Sequence, residues 1–210
     1  MHVVVLGARG GSGRAVVVEA LGAGHRVTAA VRDPDAFHTL GITSNRLHVA
    51  RVDVRDEESL VPVIDGQDVV VFAAGPPGRR AHGLYSQGAQ ATVAAMTRCR
   101  VDRLLAITSA GVRYDDHELA PWYRLLVRPL LGEIYADMSL MEQVVRASDL
   151  DWTLVRPVLL LDREPVGDYR VLDAATPRRG RTITRADLAQ FIVGEIDERR
   201  WSRQAPTLAH

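Results

Sequence analysis

Short apolar runs alternate along this chain with longer segments in which apolar positions recur every three or four residues. Val3–Leu6, His25–Val31, Arg46–Asp53, Asp68–Ala74, Asp102–Thr108 and Asp151–Val155 read as strands. Several are apolar without alternation, as expected where both faces of a parallel sheet are covered. Between them lie helical patterns. One follows Val3–Leu6 at once and is closed by Gly22 and Gly24. Asp56–Ile64 is short and has Asp56 as a suitable N-cap, and His82–Arg98 is long. A fourth covers about 133–148, where Leu140, Met141, Val144, Val145 and Ala147 share a face. The last, Arg185–Arg199, is opened by Thr184. Strand and helix in strict alternation predict an α/β fold, a doubly wound parallel sheet with helices on both faces. No repeat or linker interrupts it, so residues 1–210 read as a single domain. Pro157 is expected to stop the sixth strand, and Ala205–Ala209 to add an edge strand.

The junction of the first strand and first helix carries chemistry. Gly7-Ala8-Arg9-Gly10-Gly11-Ser12-Gly13 places three glycines at intervals of three between a strand and a helix. The first glycine suits a tight turn, the second a close approach of backbone to phosphate, and the third close packing of helix on strand. A diphosphate would then rest on free N–H groups at the positive end of the helix. The spacing favours the Rossmann strand order.

Composition narrows the rest. The 210 residues suffice to bury about 70% of the unfolded surface. The net charge is formally +0, which argues against a nucleic-acid footprint. The longest uncharged apolar run, Val69 to Gly78, is too short to span a bilayer, and no signal peptide precedes the first strand. One cysteine, Cys99, excludes an internal disulfide and fits a reducing cytoplasm, where a small buried thiol is its expected role. All 26 basic residues are arginine. A Schiff-base lysine, a P-loop lysine and a lysine-assisted tyrosine are therefore all excluded. The histidines have no metal-ligand spacing with one another or with Cys99, so no metal is expected.

Two residues after the second strand bear on the choice of nucleotide. Asp33 lies about 20 residues beyond the glycines, where an acidic residue accepts from the ribose hydroxyls of NAD. Arg32 is as close and of opposite sign, suited to the 2′-phosphate of NADP, with Arg9 flanking the same phosphate. Two arginines against one aspartate favour NADP(H). The competing reading makes Asp33-Pro34 a helix start. Asp53 is placed to accept from the adenine amino group, with Val54 lining the ring, or else to cap the turn before Asp56. Ala73, Ala74 and Gly75 end the fourth strand with minimal side chains, which suits a ribose or diphosphate against backbone. Segments 111–132 and 159–181 break the rhythm after strand ends and are candidate walls of a substrate pocket. The first holds Tyr114, His117, Trp122 and Tyr123.

Taken together the chain resembles the atypical short-chain dehydrogenase/reductase superfamily, in its NAD(P)H-binding branch of NmrA-like and biliverdin reductase B/flavin reductase-like proteins. The matching pieces are the glycine loop, Val31-Arg32-Asp33, Val52-Asp53-Val54, Ile107-Thr108-Ser109-Ala110, Leu150 through Pro157, and Thr184 through Ala189. They fall in family order over nearly the whole chain. The resemblance implies a Rossmann fold with NADP(H) along the strand ends and Arg32 on the 2′-phosphate. It implies a serine, Ser109, near the nicotinamide, and backbone contacts from Arg156, Pro157 and Val158 to its carboxamide end.

Two departures limit the chemistry. The Tyr-x-x-x-Lys pair of short-chain dehydrogenases is here Tyr135-Ala136-Asp137-Met138-Ser139, without its lysine. Tyr135 then suits proton donation rather than abstraction. The histidine of flavin reductase-like members is absent, with Leu159 near its place. The reaction that tolerates both losses is hydride transfer from NADPH to an electron-poor small-molecule acceptor, a flavin, quinone or conjugated carbonyl, with Ser109 and Tyr135 as the catalytic candidates. The alternative is an NmrA-like redox sensor that binds the dinucleotide without turnover. Epimerase or dehydratase chemistry on a nucleotide sugar is disfavoured by the missing lysine and the lack of a carboxyl-terminal substrate domain. Arg185 and Asp187 are expected to build the first turn of the last helix.

Overall fold

The structure, a computed structural model, describes residues 1–113, 116–118, 125 and 128–210. Tyr114, Trp122 and Tyr123, named above as pocket candidates, lie outside the described residues. The first half of the chain runs β1 (His2–Leu6), α1 (Gly11–Gly22), β2 (Arg26–Val31), α2 (Pro34–His38), β3 (Leu47–Arg51), α3 (Glu57–Ile64), β4 (Val69–Phe72) and α4 (Leu84–Cys99). The second half runs β5 (Arg103–Ile107), a 3-10 turn (Ala110–Val112), α5 (Arg128–Leu130), α6 (Gly132–Arg146), β6 (Asp151–Pro157), β7 (Leu159–Leu161), β8 (Arg170–Asp173), β9 (Thr182–Thr184), α7 (Arg185–Glu198) and β10 (Pro206–Ala209).

Eight strands form one sheet in the order β3-β2-β1-β4-β5-β6-β10-β8. The first six give the Rossmann order 3-2-1-4-5-6, with β1 pairing in parallel to both β2 and β4. Alternate residues of β1 explain its unbroken apolar run. Val4 and Leu6 face a core with Leu60 and Ile64 of α3, Met96 of α4 and Met141 and Val145 of α6. Val3 and Val5 face the other core, with Val16, Val17 and Ala20 of α1 and Leu188, Ile192 and Ile196 of α7. Helices thus cover both faces, and the carboxyl ends of the parallel strands β1 to β6 line up along one edge of the sheet.

Three expectations are corrected. Segment 159–181 is not irregular throughout: β7 pairs with β9 in a small separate sheet, and β8 joins the main sheet. β6 runs on through Pro157, because Thr207 and Leu208 of β10 pair with Arg156 and Pro157. β10 itself is not an edge strand. It lies between β6 and β8, parallel to one and antiparallel to the other, and all four of its residues are buried.

Candidate functional site

The glycine loop is built as its spacing suggests, for reasons the geometry makes explicit. Gly7 has φ +81°, and a Cβ there would come within 2.5 Å of the Cα of Ala74, so β1 and the end of β4 meet only if position 7 has no side chain. A Cβ on Gly13 would lie 2.3 Å from the carbonyl oxygen of Gly7, so the first turn of α1 packs on the loop only as glycine. The N–H groups of Gly7 and Ala8 donate to Ala30 O at 3.0 and 3.3 Å, tying the loop to the end of β2. Gly10 caps α1 by backbone alone. No side chain caps this helix and its first turn holds no acidic residue, so its opening N–H groups suit an anion.

Beside the loop is a cavity of about 510 Å3, bounded by Gly7, Arg9 and Gly10, by Ala30–Asp33, by Val52 and Val54, by Ala74–Pro77 and by Leu84. It lies across the carboxyl ends of β1, β2 and β4, the switch-point crevice of an open α/β sheet. Arg32 is exposed on its rim, and among the described residues it forms no hydrogen bond or ion pair. Asp33 is N-cap of α2, accepting from Ala36 N at 3.1 Å, so the helix-start reading of Asp33-Pro34 describes its bonding. The cradle, the volume and the unengaged cation fit a dinucleotide with a phosphorylated adenosine ribose.

Among the residues named from the sequence, Gly7, Arg9, Gly10, Arg32, Val54, Ala74 and Gly75 meet around this cavity. Gly11, Ser12 and Gly13 begin α1 beside it. Ala73 backs the loop, its carbonyl carbon 2.9 Å from where a Gly7 Cβ would stand. Asp53 does not line the cavity. Its Oδ1 accepts from Arg55 N at 3.0 Å and its carboxylate pairs with the Arg55 side chain, as a turn residue before α3. These bonds hold its carboxyl below the ordinary range, with Arg32 adding a smaller effect.

Ser109 and Arg156–Val158 lie at the carboxyl ends of β5 and β6, beyond β4 in the sheet order, and Tyr135 belongs to α6. Ser109 is half-buried after β5, and its Oγ accepts from Gly111 N at 3.1 Å, opening the 3-10 turn, while among the described residues its own proton has no acceptor. Tyr135 is only 4% exposed and sits in the core with Tyr85, Val112 and Met138. The Arg156 side chain turns inward: Nε donates to Glu142 Oε1 at 2.9 Å, and Nη2 bonds the other carboxylate oxygen. Thr108 Oγ1 donates to the same Glu142 at 2.9 Å. Val158 N–H is engaged by Leu208 O. His117 is exposed.

Two features escape a reading from spacing alone. Asp137, inside the Tyr135–Ser139 segment, is buried and caps a different helix: its carboxylate accepts from Tyr85 N at 2.9 Å and Ser86 N at 3.2 Å. This fixes the first turn of α4 and with it Tyr85, whose hydroxyl would lie 3.4 Å from a Cβ on the cavity residue Gly75. Burial, with Asp137 and Tyr135 close by, pushes the Tyr85 hydroxyl up to about 12. Tyr85 therefore holds its proton at any physiological pH. The only sequence signal for it was an aromatic in the first turn of a helix that follows a strand end.

A family model for NAD(P)H-binding proteins matches residues 7–199. The chain belongs to this family. The cavity above is where an NAD(P)H-binding protein of Rossmann order holds its dinucleotide. A UPF0659 protein of Schizosaccharomyces pombe is 27% identical over 160 residues, covering 69% of this chain, and the match spans 65% of that protein's length. A short-chain dehydrogenase/reductase of Veillonella parvula, solved in complex with NADP, superposes with a TM-score of 0.84 at 17% identity, covering 100% of this chain and 94% of that one. ChuY of Escherichia coli O157:H7, described as an anaerobillin reductase, superposes with a TM-score of 0.81 at 20% identity, covering 100% and 97%. At these identities the two structures establish the shared fold. Among the described residues no group of acidic, histidine or cysteine side chains is arranged to hold a metal, and no helix is long and apolar enough to cross a membrane.

Proposed function

We propose that this member of the NAD(P)H-binding family is a reductase that uses NADPH to reduce an electron-poor small-molecule acceptor, such as a flavin, a quinone or a conjugated carbonyl. The observation that carries this reading is the glycine-loop cradle and the uncapped α1 N-terminus beside a cavity with Arg32 on its rim. The chain has no lysine to acidify a tyrosine, which disfavours taking a proton from an alcohol and favours the reductive direction.

The bound dinucleotide supplies the hydride. The glycine loop and the α1 N-terminus hold its diphosphate, and Arg32 receives the 2′-phosphate. The preference for NADPH is supported by Arg32 forming no hydrogen bond or ion pair among the described residues while Asp33 is engaged as a helix cap. Ser109 orients the acceptor or the carboxamide through its free hydroxyl proton, and Tyr135 is the second donor. ChuY, a reductase of the same fold, lends support at the level of architecture.

The rival reading, a redox sensor without turnover, draws on the burial of Tyr135 and on the use of Ser109 Oγ within its own turn. Following NADPH oxidation in the presence of flavin mononucleotide, quinones and conjugated carbonyls separates the two. At least one acceptor is expected to raise oxidation well above the uncatalysed rate. Tight NADPH binding with no acceleration by any of them would replace the reductase by the sensor.

A further inference from the structure

Beside the first turn of α1 stands a cation that the glycine loop does not explain. Arg185, the first residue of α7, lies across the first turn of α1. A Cβ placed on Gly11 would stand 2.7 Å from Arg185 Nε and 3.3 Å from its Cζ. The missing side chain at position 11 is therefore what lets this guanidinium reach the helix end. Nε is buried and has no hydrogen-bond partner among the described residues. Nη1 pairs with Asp162 Oδ2 at 2.8 Å, and the Asp162 side chain is 75% exposed.

Packing of α7 on α1 does not account for these facts together. A residue that only filled space there would not need a charge, and a residue that only paired with Asp162 would not be drawn under an uncapped helix end. An exposed ion pair holds its partners weakly. A phosphate presents a guanidinium with two acceptor oxygens in the matching plane, so it displaces an exposed carboxylate readily.

The geometry points to Arg185 as a ligand of the cofactor diphosphate, supplied by α7 from outside the glycine loop. Asp162 holds the guanidinium beside the cradle and competes with the diphosphate for it. This rests on the dinucleotide occupying the cradle described above. It divides recognition between two arginines: Arg32 reads what distinguishes NADPH from NADH, and Arg185 reads what they share.

Calorimetric titration of the wild type, Arg185→Gln, Arg185→Lys, Asp162→Asn and Arg32→Ala with NADPH, NADH, ADP-ribose and adenosine 2′-monophosphate tests this. Arg185→Gln is expected to weaken NADPH, NADH and ADP-ribose by a common factor, on the order of tenfold, while the 2′-monophosphate, which has no diphosphate, is unaffected. Arg185→Lys recovers part of the loss, and Asp162→Asn tightens all three diphosphates. Unchanged affinities in Arg185→Gln, with Arg32→Ala still separating NADPH from NADH, overturn the role of Arg185 and leave the cofactor site standing. Wild-type protein that binds none of the dinucleotides overturns both. If Arg185→Gln does not fold, Asp162→Asn decides: unchanged or weaker diphosphate binding rejects the competition.

Discussion

Arg32 and Asp33 are neighbours of opposite charge at the same strand end, and their bonding separates them. Asp33 satisfies an N–H of α2, whereas Arg32 stands exposed on the cavity rim and forms no hydrogen bond or ion pair among the described residues. A charged hydrogen-bonding contact contributes about 1.5–3 kcal/mol. Arg32→Ala should therefore weaken NADPH by about tenfold or more and leave NADH within about twofold, read by titrating each nucleotide; equal losses for both would refute the 2′-phosphate assignment. The glycines were legible from spacing because the reason for each is local: a turn, or a helix pressed onto its own loop. Asp53 was left with two readings because a carboxylate at a strand end serves a turn as well as it serves an adenine, and the position of Arg55 shows the turn bonds it makes here. Tyr85 was invisible because its setting comes from Asp137, 52 residues away.

At the scale of elements, the long strands and helices were readable because each buries a continuous apolar face, and Asp56 and Thr184 cap the helices they precede. β7 and β8 were missed because they are short, carry exposed residues such as Leu159 and Leu172, and owe their pairing to partners distant in the chain. The segment between them is anchored by Asp187 in the first turn of α7. Its buried carboxylate accepts from Thr184 Oγ1, Val166 N, Gly167 N and His210 Nε2. Burial raises the proton affinity of this carboxyl, yet the hydrogen bonds outweigh burial and hold it below its ordinary 3.8. Ionised Asp187 thus favours the folded state in full above that ordinary value, and the contribution fades as pH falls through the lowered folded value. Asp187→Asn should cost about 1–3 kcal/mol at neutral pH and flatten the acid limb of stability below about 3.8, measured by urea unfolding across pH. An unchanged acid limb would assign that limb to other carboxylates.

For the molecule as a whole, a buried charge ties α7 to the sheet at the starts of β5 and β6. Arg103 of β5 is 0% exposed; it donates to the Asp151 carbonyl and carboxylate at 3.2 Å and to Glu195 O of α7 at 3.1 Å. Burial holds its guanidinium below its ordinary range and raises the Glu195 carboxyl, the signature of ions kept from water. Removing one member of such a group leaves its partners uncompensated, so Arg103→Leu is expected to cost about 3–5 kcal/mol. Adding Glu195→Gln should cost less than the sum of the two single changes, as a double-mutant cycle by chemical denaturation would show; strict additivity would mean that the two side chains act independently. The overall architecture was legible because alternating elements and one glycine signature leave few topologies open. The position of β10 was not, since a short, mostly apolar stretch looks alike whether it borders a sheet or is inserted into it. That insertion has a consequence for truncation. Because Pro206–Ala209 lie between β6 and β8, and β8 pairs with no other strand among the described residues, a chain cut short of position 206 would leave the outer flank of β6 bare and β8 with nothing to join, a sticky, half-made border.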